Sequence, residues 1–532
     1  MSSPGAATSA PRWGMVVDLN RCVGCQTCTA ACKHANDTPP GVQWRRVLDV
    51  ESGTYPDVQR LFLVTGCQHC AEPPCVPVCP TGATRQRADG LVTMDYDVCI
   101  GCAYCAVSCP YQARTIVHDE RWYYGKETVQ ERKVAHEERL GVAQKCTFCV
   151  DRVDEGKAAG LTPGVDPQAT PACSASCIAQ AIHFGDFADP ASNVSKLAAG
   201  NPSFQMHAEL GTDPQIKYLY TTPAVPGRDK EPEDEERLAD PSNPLVGALQ
   251  TFWDWRAAMN WCFGGASSGF AVVAVLGAAA GMVNPARLRV LLAAAAVLMA
   301  IGLFCVFLEI GRKLRFWRAL TRLQSSWMSR ELYAVLVFYP AVLAGLLGAG
   351  PVALTLAGIA ALTFLICQAM ILYKARGIPA WRAPLVPWMI FASGLLEGFG
   401  LLAIAGWLWP GLAAYAGSRL QLAGITLVIA NAALWYAYRS SARSRGIGPL
   451  ARRVIDRVTM PLHFVGHAIP ALLLLSGDPA LFALAGIAAV AGGAYWKFSV
   501  VARAGYQQGF ALPKLPQRGS GRFAAPARLE HR

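Results

Sequence analysis

From about residue 258 onward the chain is built of apolar runs separated by short polar breaks. The runs cover 260–283, 289–310, 331–348, 352–373, 385–408, 420–438, 458–476 and 480–502. Each is near the ~17–25 residues that a helix needs to cross a hydrocarbon core. Val290 to Phe307 is apolar all round, whereas a helix on a soluble core keeps a polar face. Eight membrane helices are therefore predicted. Small residues crowd Gly264–Gly269 and Gly486–Gly493, as close helix packing in lipid requires. The first 250 residues read differently. Leu61–Val64 and Leu91–Met94 are strand-like fragments. Segment 119–140 is charged, opens on Trp122, Tyr123 and Tyr124, and reads as an insertion, either solvated or facing a partner. Residues 197–245 hold no long apolar period. Arg228 to Asp240 is a dense charge run containing Pro232, which reads as a linker or extended arm.

Composition agrees with a divided chain. Of 532 residues, 53% are apolar and 16% charged, with a mean hydropathy of +0.26. Soluble proteins average ~25% charged residues, which argues against a single soluble domain. The net charge of +11 describes neither half. Residues 1–249 hold 22 Lys/Arg and 30 Asp/Glu, whereas residues 250–532 hold 26 and 7. The basic pI therefore gives no ground for nucleic-acid binding, and no nucleic-acid partner is expected.

Cysteine divides the same way, with sixteen of the 19 before residue 178. Group one is Cys22-x2-Cys25-x2-Cys28-x3-Cys32. Group two is Cys67-x2-Cys70-x4-Cys75-x3-Cys79, followed by Pro80. Group three is Cys99-x2-Cys102-x2-Cys105-x3-Cys109, followed by Pro110. Group four is Cys146-x2-Cys149, then Cys173-x3-Cys177. Groups one and three match the bacterial ferredoxin run, in which the fourth thiolate serves a neighbouring cluster. At four thiolates per cluster, sixteen give four 4Fe–4S clusters. Zinc favours isolated CxxC pairs. A disulfide framework belongs to secreted chains, and Met1 to Pro11 has neither an apolar leader core nor twin arginines. No CxxCH occurs, so no c-type haem attachment is expected.

The stretches Val17–Cys25, Cys67–Cys75 and Lys145–Arg152 resemble the four-cluster electron-transfer subunits of the dimethyl sulfoxide reductase family over residues ~12–220. That resemblance implies a cross-pairing. One cluster would be held by Cys22, Cys25, Cys28 and Cys177, and its neighbour by Cys32, Cys146, Cys149 and Cys173. The third would use Cys67, Cys70, Cys75 and Cys109, and the fourth Cys79, Cys99, Cys102 and Cys105. Group three is complete, so four cubanes are expected rather than three and a 3Fe–4S centre.

The apolar half resembles the polysulfide reductase and dimethyl sulfoxide reductase anchors (the NrfD-like, DmsC-type family). Asn260–Gly265, Glu309–Arg312, Ser326–Glu331, Ala375–Trp381 and Arg503–Pro513 carry that likeness. It implies electron exchange between the nearest cluster and a membrane quinone, menaquinone or ubiquinone, without haem. Ionisable residues inside spans are costly and so mark candidate sites. Glu309 and Arg312 read as a pair at the end of span two. Glu397 falls in the middle of span five, and Lys497 in span eight. His463 and His467 share one face early in span seven, and Asn260 matches a polar position near the quinone pocket of relatives. Cys262, Cys305 and Cys367 read as small packing residues.

With eight spans both termini lie on one side. Its loops 311–330, 374–384 and 439–457 carry fifteen Lys/Arg, against three on the other. The positive-inside rule puts the termini and the cysteine domain in the cytoplasm, on the inner membrane. The expected fold is an α+β ferredoxin-like four-cluster iron–sulfur domain, residues 1–196, followed by an all-α eight-helix transmembrane bundle, residues 251–510. Residues 197–250 would be tail and linker, and 511–532 a basic tail. The expected function is electron transfer and membrane anchoring in a molybdopterin oxidoreductase. A separate molybdenum pterin subunit would hold the substrate site, and lipid and quinone would be the further partners. Quinone reduction, of the sulfite dehydrogenase or phenylacetyl-CoA acceptor oxidoreductase kind, is the first reading. A quinol-driven dimethyl sulfoxide, polysulfide or tetrathionate reductase is the second, and a redox-coupled proton-moving anchor the third.

Overall fold

The computed structural model describes residues 10–52, 55, 58–134, 136–219, 235–409 and 418–510. The charge run from Arg228 to Asp234 and the basic tail from residue 511 lie outside them. Trp13–Asp18 is buried at every position and forms an inner strand of a four-stranded sheet. It pairs antiparallel with Ile182–Asp186 and parallel with Ile216–Leu219, so Met15 lies opposite both Phe184 and Ile216. Ser203–Gln205 adds the edge beside Ile216–Leu219. The stretch after residue 196, which from sequence reads as tail and linker, thus supplies two strands of this sheet. Met15 and Val17 enter the main core with Phe148 and Phe184. Val16, on the other face, packs with Val194 and Leu197.

The remaining strands form hairpins. Arg45–Ser52 pairs with Gln59–Gly66, placing Val47 opposite Val64. Two short hairpins, Thr84–Gln86 with Val92–Met94 and Thr115–Ile116 with Ala143–Gln144, brace the cysteine loops between them. The result is a ferredoxin-like α+β domain.

Among the described residues, seven helices are long and apolar enough to cross a membrane. They are Trp255–Ala279, Pro285–Glu309, Trp327–Leu346, Pro351–Lys374, Val386–Leu408, Leu420–Ser440 and Pro479–Arg503. The span expected over 458–476 is instead the end of a longer broken run. An α-helix Pro449–Pro461 leads into a π-helical turn Leu462–Ala468 and a short helix Ile469–Leu474. Pro461 and Pro470 explain the break: each lacks an N–H and crowds the preceding turn, and the wider π turn absorbs the mismatch. Arg452, Arg453 and Arg457 lower the apolar signal of the first segment, which hides where the run begins.

The bundle closes where side chains are missing. A β-carbon on Gly269 would collide with the Gly394 carbonyl, one on Gly486 with Gly400, and one on Gly492 with Gly466. These are the small-residue crossings by which helices approach closely in lipid.

Gly269→Val is therefore expected to destabilise the membrane half by about 1–3 kcal/mol, the range for overpacking a filled core. Gly448→Ala, which meets nothing within 4 Å, should be neutral. Thermal melts of the detergent-solubilised chain, read by size exclusion, compare the two.

Candidate functional site

The cysteine motifs fold into turns that bring their sulfurs around small hollows. In group one Gly24 and Gln26 take left-handed backbone, and in group three Gly101 and Ala103 do the same at the matching positions. Each turn then opens a helix, Thr27–Ala35 bearing Cys28 and Cys32, and Tyr104–Val107 bearing Cys105. Phe148 and Cys149 repeat the device before the helix Val150–Ala158. Cys22, Cys25, Cys28 and Cys177 line a small hollow. Cys67, Cys70, Cys75 and Cys109 line a second, and Cys79, Cys99, Cys102 and Cys105 a third. Cys32 lies among Cys146, Cys149 and Cys173, and the Asn36 amide reaches the sulfurs of both Cys32 and Cys149 at 3.7 Å. Each of the three hollows is ringed by four sulfurs brought from two separate stretches of the chain, a donor set that suits an iron–sulfur cubane. Among the described residues no cluster of three or more His, Cys, Asp or Glu is drawn in tightly enough for a single metal ion.

The electrostatics fit a charged occupant. Burial pushes the Cys28 thiol up to about 11, and the Cys105, Cys109 and Cys146 thiols up to about 12. Buried thiolates here need counter-charge. Two buried guanidiniums stand among them. Burial works against the charge of Arg45, and Cys173, Cys146, Cys32 and Cys28 more than offset it. Arg114 sits likewise among Cys105, Cys75, Cys67 and Cys109. Nε and Nη1 of Arg45 and Nη2 of Arg114 have no protein partner, so their charge is free to act on whatever the sulfurs hold. Backbone N–H groups of Gly101, Ala181 and Phe148 donate to the sulfurs of Cys99, Cys177 and Cys146 at 3.2–3.5 Å, contacts of the kind that tune an iron–sulfur potential.

The four groups form a file. Cys146 of the Arg45 pair lies near Cys67, and Cys105 lies near Cys75 and Cys79. The file ends against the membrane half. Gly101 meets Gly141 and Gly311, the last in the loop after Pro285–Glu309. The Trp253 indole donates to the Cys102 carbonyl at 3.0 Å. Its ring stands 5.4 Å from Tyr104 and 5.3 Å from Trp261. Tyr104 donates to the Ile371 carbonyl at 2.9 Å, and Trp261 to the Gln368 carbonyl at 3.2 Å. Beyond them lies a buried polar knot. The Gln368 amide donates to the Asn260 carbonyl at 3.0 Å, and the Glu331 carboxyl faces both side chains. Oδ1 of Asn260, Oε1 of Glu331 and Oε1 of Gln368 are buried without a partner.

Residues 58–123 match the 4Fe-4S dicluster domain family, and residues 252–408 match the DMSO reductase anchor subunit family. A selenate reductase subunit of Mesobacillus selenatarsenatis is 40% identical over 224 residues, 39% of this chain and 72% of that protein. The putative dimethyl sulfoxide reductase iron-sulfur subunit of Halobacterium salinarum is 37% identical over 260 residues, 46% of this chain and 94% of that one. A sulfite dehydrogenase subunit of Allochromatium vinosum is 37% identical over 221 residues, 38% and 81% of the two chains. The chain belongs to the dimethyl sulfoxide reductase family. It is an iron–sulfur subunit joined to a DmsC-type membrane anchor.

In this iron–sulfur and anchor subunit the membrane residues singled out from sequence fall into separate places. Asn260 belongs to the knot beside Tyr104. Glu397 is buried in an ion pair with Lys497 at 2.7 Å, each about 1% exposed. His463 and His467 contact each other through their Nδ1 atoms at 3.1 Å. They lie about half-way along the run Pro449–Leu474 rather than at its start, because that run begins earlier than its hydropathy indicates. The expected pair of Glu309 and Arg312 is not formed. Arg312 donates to the carbonyls of Leu140 and Glu137, while Glu309 is buried beside Asp254 and Arg256. The turn after Glu309 sends Arg312 toward the cysteine domain. Glu331, Gln368, Tyr104, Trp253 and the two buried arginines escape a reading of the sequence. Glu331 carries a signal, an acid within the first turns of an apolar span, but it stands inside the motif Ser326–Glu331 and is hidden by it.

Arg45→Met should lower the midpoint potential of the iron–sulfur signals by several tens of mV, because an added electron loses a nearby positive charge. Arg45→Lys should recover most of it. A redox titration followed by paramagnetic resonance reads the shift, and unchanged potentials would mean that the guanidinium is purely structural.

Proposed function

We propose that this subunit conducts electrons, through four 4Fe–4S clusters, between a molybdenum pterin subunit and a quinone at the Asn260–Glu331–Gln368 knot. The proposed ligands are Cys22, Cys25, Cys28 and Cys177; Cys32, Cys146, Cys149 and Cys173; Cys67, Cys70, Cys75 and Cys109; and Cys79, Cys99, Cys102 and Cys105. The first, third and fourth sets each line one hollow, and Cys32 lies among the rest of the second. Four thiols per group, most of them buried, and the guanidiniums of Arg45 and Arg114 suit that load. Bound there, the clusters would take up and release single electrons. The observation that carries the reading is the seam, where the Cys102 carbonyl, Trp253, Trp261 and Gln368 are joined by successive contacts. At its membrane end, three unpartnered acceptors suit the hydroxyl groups of a reduced quinone, and the amides of Asn260 and Gln368 suit its oxidised carbonyls.

Substrate oxidation with quinone reduction is the first reading, because the cysteine domain packs on the side of the arginine-rich loops. Arg312 and Arg315 of one such loop donate to Leu140 and Tyr96, and Arg453 of another to Ala239. By the positive-inside rule that side is cytoplasmic. The name of the sulfite dehydrogenase relative accords with oxidation, and that of the selenate reductase relative favours the second reading, a quinol-driven reductase.

Purified chain is expected to yield about sixteen iron and sixteen sulfide per polypeptide, at four of each per cubane; half that content would refute the assignment of four clusters. Asn260→Ala and Glu331→Gln should slow reoxidation of the reduced clusters by a short-chain quinone without changing iron content. An orientation test fuses a reporter that matures only in the periplasm to the C-terminus. Its silence is expected, and activity would reverse the topology.

A further inference from the structure

Beyond the quinone knot lies a second set of buried polar groups that electron transfer does not use. Lys497 Nζ contacts Glu397 Oε2 at 2.7 Å, and Ser393 donates to Glu397 Oε1 at 2.7 Å. The Trp496 indole donates to Ser393 at 3.2 Å. Trp496 also lines a small cavity, together with His467, Asn431, Trp435, Met389 and Leu462. His467 in turn contacts His463.

This set reaches the knot at one glycine. A β-carbon on Gly265 would strike Lys497 Nζ and lie 3.8 Å from Oε1 of Gln368. Gly493 leaves the matching space for the Glu397 carboxyl. Two glycines thus hold the pair in place, and Cys262 lies beside both charges. An ion pair stripped of water costs several kcal/mol per charge before its attraction is counted. Apolar side chains of the same volume would fill the space between Trp255–Ala279, Val386–Leu408 and Pro479–Arg503 at less cost. Packing alone therefore gives no reason for the pair.

Quinone reduction consumes two protons with every two electrons. The electrons arrive through the Cys102 and Trp253 seam, and the protons need a path of their own. We propose that Lys497 and Glu397 relay those protons between the quinone knot and the His463–His467 pair. The proposal rests on the reading of Asn260, Glu331 and Gln368 as the quinone site. A proton leaving Lys497 toward the Gln368 side leaves a neutral amine beside the Glu397 carboxylate; a proton arriving from the side of the His467 cavity is taken up by that carboxylate and passed on to Lys497. That cavity has room for about one water. For quinol oxidation every transfer runs in reverse. The half-buried His463 lies near Arg439, at the start of an arginine-rich loop, so the relay takes its protons from the water on the side of that loop.

The test uses the full chain in liposomes, reduced with dithionite and mixed with decylubiquinone or a short-chain menaquinone. Cluster reoxidation is followed by absorbance, and cluster content by paramagnetic resonance. Glu397→Gln is expected to keep the cluster signals while slowing reoxidation about a hundredfold or more, the range for loss of a positioned proton-transfer group. The double variant E397Q/K497Q removes both charges and keeps the hydrogen bond. Slow reoxidation in the double variant supports the relay even if the single variant fails to assemble. Wild-type speed in the double variant assigns the pair to structure and overturns the relay. If Asn260→Ala and Glu331→Gln slow the reaction while every Glu397 variant is normal, the relay falls and the quinone site stands. Full speed in Asn260→Ala and Glu331→Gln overturns the site, and the relay with it.

Discussion

Gly101, Gly141 and Gly311 meet backbone to backbone, with no side chain between the last cysteine loop and the membrane half. Gly101 and Gly141 sit at positive φ, which L side chains rarely adopt. The contact is tight on three sides, and neighbouring groups reinforce it. Arg312 hydrogen-bonds to Leu140, Arg315 to Tyr96 and Cys99, and Ser326 to the Val78 carbonyl at 2.8 Å. Most of these bonds run from a side chain of the anchor to a main-chain carbonyl of the cysteine domain. The seam therefore depends on the path of the cysteine loops more than on their side chains. It sets the distance from the final sulfur group to the bundle, and electron exchange falls off steeply with such a distance.

The division of the chain was legible because it depends on composition. Apolar runs, cysteine spacing and charge asymmetry are local properties, and each survives without knowledge of the fold. What escaped the sequence was the meeting of distant residues. Arg45 and Arg114 look like ordinary strand and loop arginines until the fold buries them among sulfurs drawn from remote segments. Gln368 and Glu331 stand in different spans, and only the packing of those spans makes them neighbours of Asn260. The broken run Pro449–Leu474 shows a different difficulty. Arginines in its first part make it read as loop, and prolines in its interior give it a backbone that no apolar count can report. Glu309 and Arg312 are close in number, yet the turn between them sends the two side chains to different partners.

Charge is handled in opposite ways by the two halves. In the cysteine domain, buried cations face many sulfurs at once, and their surplus donors are left for a group the sulfurs hold. In the bundle, Lys497 and Glu397 are matched one to one, with Ser393 taking a remaining lone pair. The first arrangement suits a site whose charge changes by single electrons, because a fixed cation biases every state in the same direction. The second is neutral as a whole and is disturbed only when a proton enters or leaves.

The strand Trp13–Asp18 has a consequence for biogenesis. Both of its sheet partners come from far down the chain, Ile182–Asp186 and Ile216–Leu219. On the ribosome it stays unpaired until the first of these has emerged and keeps one edge open until the second follows, and such non-local pairings close slowly. All sixteen cysteines of the domain are made within that interval, held only by their local turns. The sheet closes over them late, and the first span follows about 35 residues afterwards. Translation order thus leaves an open, unanchored intermediate in which inorganic sulfur and iron can be delivered before the membrane takes up the rest of the chain.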